Sequence, residues 1–226
     1  MFEYTAPKNL LEDKTILITG ASDGIGKVCA CTFADHGARV ILLGRNQEKL
    51  EAVYDQIEAV NPGKTIIHPL DFISATAADY QTLAQSLAEQ YEWLDGLIHN
   101  AALISAMNPI EFYPERDWSE LMQVNINAVF FLTKALLPSL SRSADARLLF
   151  TASSVGRVGR AYWGAYAVSK FAVEGLMQTL ADELANTSSI RVNSLNPGAT
   201  RTYMRRIAYP AENPASQPTA ESLMPV

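Results

Sequence analysis

The segment SSVGRVGRAYWGAYAVSK runs from Ser153 to Lys170 and holds three side chains that make chemical sense together. Tyr166 and Lys170 stand at i and i+4, so on a helix they share one face. Ser153 lies just past an apolar run, near the point where that helix should begin. A tyrosine hydroxyl can give or take a proton, but its ordinary pKa is about 10. Bringing it toward 7 requires about 4 kcal/mol of differential stabilisation of the phenolate, and a neighbouring ammonium has the sign for that. A serine hydroxyl beside the phenol can hold a substrate oxygen. The set suits general acid–base work on an alcohol or carbonyl while a nicotinamide carries hydride. Taken alone the Y-x-x-x-K pair is a weak signal in a chain with nine tyrosines, and a surface helix contact reads equally well.

The elements that would position these groups follow from hydrophobic patterning. Short, near-continuous apolar runs stand at Thr15–Thr19, Arg39–Leu43, Thr65–Leu70, Gly96–His99, Arg147–Thr151 and Ile190–Leu195. Runs without alternation are expected of parallel strands covered on both faces. Helical patterns fill the intervals, at about 24–36, 46–60, 75–91, 116–140 and 162–187. Strand and helix in alternation predict an α/β fold, a doubly wound parallel sheet of Rossmann type. Ligands on such sheets bind beyond the carboxyl ends of the strands, so the residues just after each run carry the most information.

After the first run comes TGASDGIG, with Gly20, Gly24 and Gly26 opening the first helix. A strand, a glycine turn and a helix N-terminus together bring backbone N–H groups and a favourable dipole to a phosphate. Gly20, Ser22, Asp23, Gly24, Ile25 and Gly26 are therefore candidate cofactor-binding residues, with a ligand-free glycine turn as the plain alternative. A P-loop is excluded, because no Gly-Lys-Ser/Thr follows. The second run ends in LLGRN, with Arg45 where an acidic residue would hold a ribose 2′-hydroxyl. A planar cation there suits a 2′-phosphate and points to NADP(H) over NAD(H). Asp23 is a counter-signal, since its charge would repel that phosphate.

At this point the chain resembles the short-chain dehydrogenase/reductase family. The likeness covers about Lys14–Arg206 and rests on the order and spacing of TGASDGIG, Leu70–Asp71, HNAA at 99–102, VNINAVF at 124–130, Ser153, YAVSK at 166–170 and NPGATRT at 196–202. A bacterial group of oxidoreductases within the family carries the closer likeness, in VILLGRN and GRAYWGAYAVSKFAVEG. The resemblance implies a catalytic set of Ser153, Tyr166, Lys170 and Asn125. Tyr166 would be the acid/base, Ser153 would orient the substrate oxygen, and Lys170 would lower the tyrosine pKa and bind the nicotinamide ribose. Asn125 would hold a water linking Lys170 to solvent. Asp71 would meet the adenine, Asn100 would line the cofactor groove, and Pro197, Gly198 and Thr202 would face the nicotinamide carboxamide. Two departures stand out. Ala102 replaces a usual glycine, and the chain ends at Val226 where the family continues with a helix and a last strand, so the sheet should lack that strand. The family also implies a homodimer or homotetramer.

Composition narrows the rest. The 226 residues suit a single domain spanning 1–226, with 209–226, rich in proline and polar residues, as loop or flexible tail. A net charge of −6 argues against nucleic acid as a partner. The start MFEYTAPKNLLEDK lacks the pattern of a signal peptide, no apolar run reaches the length of a membrane span, and Cys29 and Cys31 are too close on one helix to pair. A cytoplasmic protein without membrane partners is the expectation. His36, His68 and His99 show no metal-ligand spacing, so no metal is expected. Arg157, Arg160, Arg201, Arg205 and Arg206 read as a solvated face. The partner left is a small-molecule carbonyl or alcohol substrate, with a non-catalytic nucleotide-binding or scaffold module as the competing reading.

Overall fold

The apolar runs form one parallel sheet in the computed structural model, which describes residues 4–224. Residues 1–3, and 225–226 at the end of the expected tail, lie outside it. The strands are β1 (Thr15–Thr19), β2 (Arg39–Gly44), β3 (Thr65–Pro69), β4 (Gly96–His99), β5 (Arg147–Thr151) and β6 (Arg191–Leu195), in the spatial order β3-β2-β1-β4-β5-β6. Every pairing is parallel. The order reverses between β1 and β4, which opens a crevice beyond their carboxyl ends. No strand follows β6 among the described residues.

Because strand side chains alternate between faces, β1 and β2 feed two cores. Leu17, Ile41 and Leu43 pack with the helices α3 (Ala77–Gln90), α5 (Ala128–Leu140) and α6 (Gly164–Leu184). Ile16, Ile18, Val40 and Leu42 pack with α1 (Gly24–Asp35) and α2 (Gln47–Glu58) on the other face. The helix starts are set locally. Asn46 Oδ1 accepts from Lys49 N at 2.9 Å to open α2, and Thr76 with Asp79 forms a capping box at α3.

Three details differ from the sequence reading. The expected helix at 116–140 consists of α4 (Glu115–Met122), a π-helical turn over Gln123–Asn127, and α5. The extra residue in that turn directs Asn125 inward, where it is 1% exposed. The helix expected from 162 starts at Gly164 instead, because Tyr162 adopts a left-handed φ of 73°. The segment after Tyr209 is loop with short 3₁₀ turns at Pro214–Ser216 and Ala220–Leu223, and it is packed: Ala220 is buried and Met224 rests on the α1–α2 core. Read as one stretch, Glu115–Leu140 is long and apolar enough to cross a membrane, unlike the shorter runs counted from sequence. Leu132, Leu136 and Leu140 are fully buried, so core packing accounts for that apolarity.

Candidate active site

Thr19, the last residue of β1, ties two strand ends together. Its hydroxyl donates to the Ile98 carbonyl and accepts from the backbone N–H of Asn100 and of Ala101. Asn100 in turn donates from Nδ2 to the carbonyls of Thr19 at 3.1 Å and Gly20 at 3.4 Å. This bracing fixes the glycine loop, and Gly20, Ser22, Asp23, Gly24 and Ile25 line the cleft beyond it. Asp23 caps α1, accepting from Gly24 N at 2.7 Å. Gly26 departs from the expectation. It faces away from the cleft and is buried under the loop, where an added Cβ would collide with the Gly20 carbonyl oxygen and crowd Asn100 Nδ2. Its hydrogen is needed for packing α1 against the loop. Gly26→Ala is expected to cost about 1–3 kcal/mol of stability and to weaken nucleotide binding with it. An unchanged melting temperature together with an unchanged cofactor Kd would refute this.

The charge of Asp23 is met by a group the sequence did not single out. Lys49, in the first turns of α2, lies 2.9 Å from Asp23 Oδ2. That hydrogen bond, opposed by partial burial, holds the Asp23 carboxyl below its ordinary value. Both side chains are more than half exposed, so the pair adds little stability. Its effect is local: the acid is neutralised and a second cation stands beside exposed Arg45 on the same cleft wall. Asp71 lines that end too, with its carboxylate accepting from Ile73 N at 3.0 Å.

Tyr166 and Lys170 reach the middle of the cleft from one face of α6. They are 8% and 4% exposed. Lys170 Nζ donates to the Thr151 carbonyl at 2.6 Å and sits 5.7 Å from the Tyr166 ring centroid. Burial dominates both titrations. It pushes the Tyr166 phenol up to about 12, against a smaller opposite pull from the Ser153 hydroxyl, and it brings the Lys170 ammonium down to about 8. The expected lowering of the tyrosine by Lys170 is therefore not what this arrangement shows, because the low-dielectric site disfavours both charged forms. Ser153 stands in extended backbone after β5 and before the 3₁₀ turn Ser154–Gly156. One turn beyond Lys170, the Glu174 carboxylate accepts from Ser194 Oγ at 3.0 and 3.1 Å and from Arg157 Nε at 3.2 Å. It thereby joins α6, β6 and the segment carrying Ser153.

Asn125 is brought close but does not line the cleft. Its Oδ1 accepts from Leu103 N at 2.7 Å, and its Nδ2 donates to the Leu103 carbonyl and to Ser169 Oγ, each at 3.0 Å. The amide clamps the chain after β4 onto α6. His99 is buried and stacked on Phe150, and burial brings its imidazole down to about 3, so it stays neutral. Both cysteines are free thiols. Among the described residues no cluster of His, Cys, Asp or Glu is arranged to hold a metal.

Asn100, Ser153, Tyr166, Lys170, Pro197, Gly198 and Thr202 all open onto one cleft of about 680 Å³, which also runs past Arg45 and Asp71. Thr202 caps the short helix α7 (Tyr203–Ala208), accepting from Arg205 N at 3.2 Å. Lys49, Glu174 and the α7 residues Tyr203 and Met204 were missed by sequence reasoning, and Arg205, read as part of a solvated face, is instead half-buried and paired with Glu212. Lys49, four residues after Arg45, carries a weak signal in that spacing.

This arrangement on this sheet has known counterparts. Residues 14–213 match the family model for short chain dehydrogenases. The chain belongs to the short chain dehydrogenase family. Among the members it resembles is the uncharacterized oxidoreductase YciK of Escherichia coli K12, 49% identical over 223 residues, which are 99% of this chain and 88% of YciK. A Pseudomonas syringae structure described as a short chain dehydrogenase is 52% identical with a TM-score of 0.97, covering 100% of this chain and 91% of that one. One from Shigella flexneri 2a, complexed with NADP, is 49% identical with a TM-score of 0.94, covering 97% and 91%. As a short chain dehydrogenase, the chain is an oxidoreductase of Rossmann type.

Proposed function

We propose that this short chain dehydrogenase transfers hydride between NADP(H) and a carbonyl or secondary alcohol. The observation that carries the reading is that the braced glycine loop, Arg45 and the Ser153, Tyr166 and Lys170 side chains all open on one cleft. The residues fit the cofactor: the loop presents glycine backbone and the start of α1 to the cleft, which favours a diphosphate. Arg45 and Lys49 would hold the 2′-phosphate, and Asp71 would flank the adenine. Lys170 would hold the nicotinamide ribose, with Pro197, Gly198 and Thr202 at the carboxamide. NADP bound to the Shigella flexneri relative supports the choice of nucleotide. When bound, the nicotinamide supplies or accepts hydride. In the reducing direction the carbonyl carbon gains hydride, its π pair moves to oxygen, and Tyr166 gives that oxygen a proton. Ser153 holds the same oxygen in place.

A fluorescence titration with NADPH and with NADH tests the cofactor. NADPH is expected to bind at least tenfold tighter, about 1.4 kcal/mol, and Arg45→Ala to remove most of that gap. Equal affinities would remove the 2′-phosphate from the reading. A panel of aldehydes, quinones and ketones with NADPH separates enzyme from module: binding with no oxidation across the panel would favour a nucleotide-binding role.

The same reading extends to assembly in the cytoplasm as a homodimer or homotetramer. α5 leaves Phe130 45% exposed, and α6 leaves Val168 and Phe171 42% and 45% exposed. Aromatic side chains exposed on helices are suited to a second copy. Sedimentation should show a dimer or tetramer, and Phe171→Glu should shift it toward monomer. A monomeric wild type would end this part of the reading.

A further inference from the structure

The cleft changes character beyond Tyr166. Leu103, Ile104, Trp163 and Met204 line it there and pack with Tyr166 in one apolar cluster. The Trp163 ring lies 5.7 Å from the Tyr166 ring, tilted by 50°. Its position is built into the backbone. The residues on both sides of it, Tyr162 and Gly164, have φ of 73° and 34°, and a Cβ on Gly164 would strike the Tyr113 ring. A left-handed tyrosine persists only where its surroundings over-determine it.

The cations at this end are already engaged. Arg205 lines the cleft, but its Nε and Nη2 donate to the two Glu212 oxygens at 2.7 Å each. Gln217 braces that carboxylate at 2.8 Å, and the Arg205 guanidinium lies 3.7 Å over the Tyr209 ring. Lys170 donates to the Thr151 carbonyl and, on the reading above, to the nicotinamide ribose. A substrate carboxylate would have to break the Arg205–Glu212 clasp or go unpaired against an apolar wall, and a polar group buried without a partner is disfavoured.

Resting on the oxidoreductase reading above, we infer that the substrate is an uncharged, flat, apolar carbonyl compound seated on Trp163, and that the Arg205–Glu212 clasp selects against carboxylate-bearing analogues. The arrangement separates a charged nucleotide end from an apolar substrate end within one cleft.

The test uses two ketones that share a ring system, 2-acetylnaphthalene and 6-acetyl-2-naphthoate. Each is titrated calorimetrically into the NADP⁺-loaded protein, where no reduction can occur. The uncharged ketone is expected to bind at least tenfold tighter. Trp163→Leu should weaken it about tenfold. Glu212→Gln, a change away from the reacting groups, should leave it unchanged and tighten the naphthoate severalfold by freeing Arg205. The inference is overturned if the naphthoate binds as well or better, if neither ketone binds up to its solubility limit, or if Trp163→Leu has no effect. Turnover of the same ketones with NADPH separates the two readings. The binding preference without turnover of any carbonyl counts against the oxidoreductase reading while the pocket's preference stands. Tyr166-dependent turnover without the preference overturns the inference alone.

Discussion

Tyr166→Phe is expected to lower carbonyl turnover by a factor of about 10²–10⁴ while leaving NADPH affinity within about threefold. The phenol stands in the middle of the cleft, can donate a proton and hydrogen-bonds with Ser153. Burial pushes it up to about 12, so at neutral pH it is a protonated donor, ready for the reducing direction. Oxidation needs the phenolate and should accelerate as pH rises. For reduction, the Lys170 charge that would hold the nicotinamide ribose is lost above about 8. The kcat/KM for reduction should therefore be flat to about pH 8 and fall beyond it. The ring itself remains in Tyr166→Phe, so the apolar cluster around it should hold and the fold should be little affected. Initial rates on wild type and variant, beside a parallel NADPH titration, decide the matter. A variant that turns over at the wild-type rate would remove the phenol from the chemistry, and an equal loss of NADPH binding would make its role structural.

The strands were legible because parallel strands covered on both faces admit few polar residues, and the runs at Thr15–Thr19 and Arg147–Thr151 match the observed limits. Helix starts were legible where a cap announces them, as at Asp23 and Asn46. What was hidden depends on contacts between distant segments. The π turn over Gln123–Asn127 contains neither glycine nor proline, and its Asn125 is held by Leu103, 22 residues away. Lys49 has the periodicity of a solvated helix face, and only the fold brings it to Asp23, 26 residues away. The Glu174 partner Ser194 and the Arg205–Glu212 clasp lie on segments whose own patterns say nothing of each other. Gly26 shows a different limit. A glycine kept for close packing and one kept for a ligand are the same letter, and only coordinates separate them. The 2′-phosphate reading rested on Arg45 against the counter-signal of Asp23. The Lys49 contact weakens that counter-signal without any change in the sequence argument for Arg45.

Lys170→Met should do two opposite things: raise the stability of the cofactor-free protein at pH 7 and lower turnover by about 10²-fold or more. The ammonium is 4% exposed, and burial brings it from 10.5 down to about 8. A lysine whose folded value lies below its unfolded one costs stability wherever it must stay charged. The cost is present in full below about 8 and is relieved as pH rises toward 10.5, because the unfolded chain then binds the extra proton. The shift corresponds to about 3 kcal/mol. Losing the bond to the Thr151 carbonyl returns about 1–2 kcal/mol of that. The net gain of about 1–2 kcal/mol should raise Tm by a few degrees in a chain of this size. The gain should shrink above about pH 8, vanish at about pH 9–9.5 and give way by about pH 10.5 to a small loss from the missing hydrogen bond. Activity moves the other way because the charge that burdens the fold is the one that would hold the ribose, a trade expected where function needs a destabilised site. Thermal unfolding of both proteins from pH 6.5 to 10.5 tests this. A variant less stable than wild type at pH 7, or a gain that does not decline with pH, would mean that Lys170 contributes more by its hydrogen bond than it loses by burial. The lysine would then be a structural tie between α6 and β5 and no longer a strained group kept for catalysis.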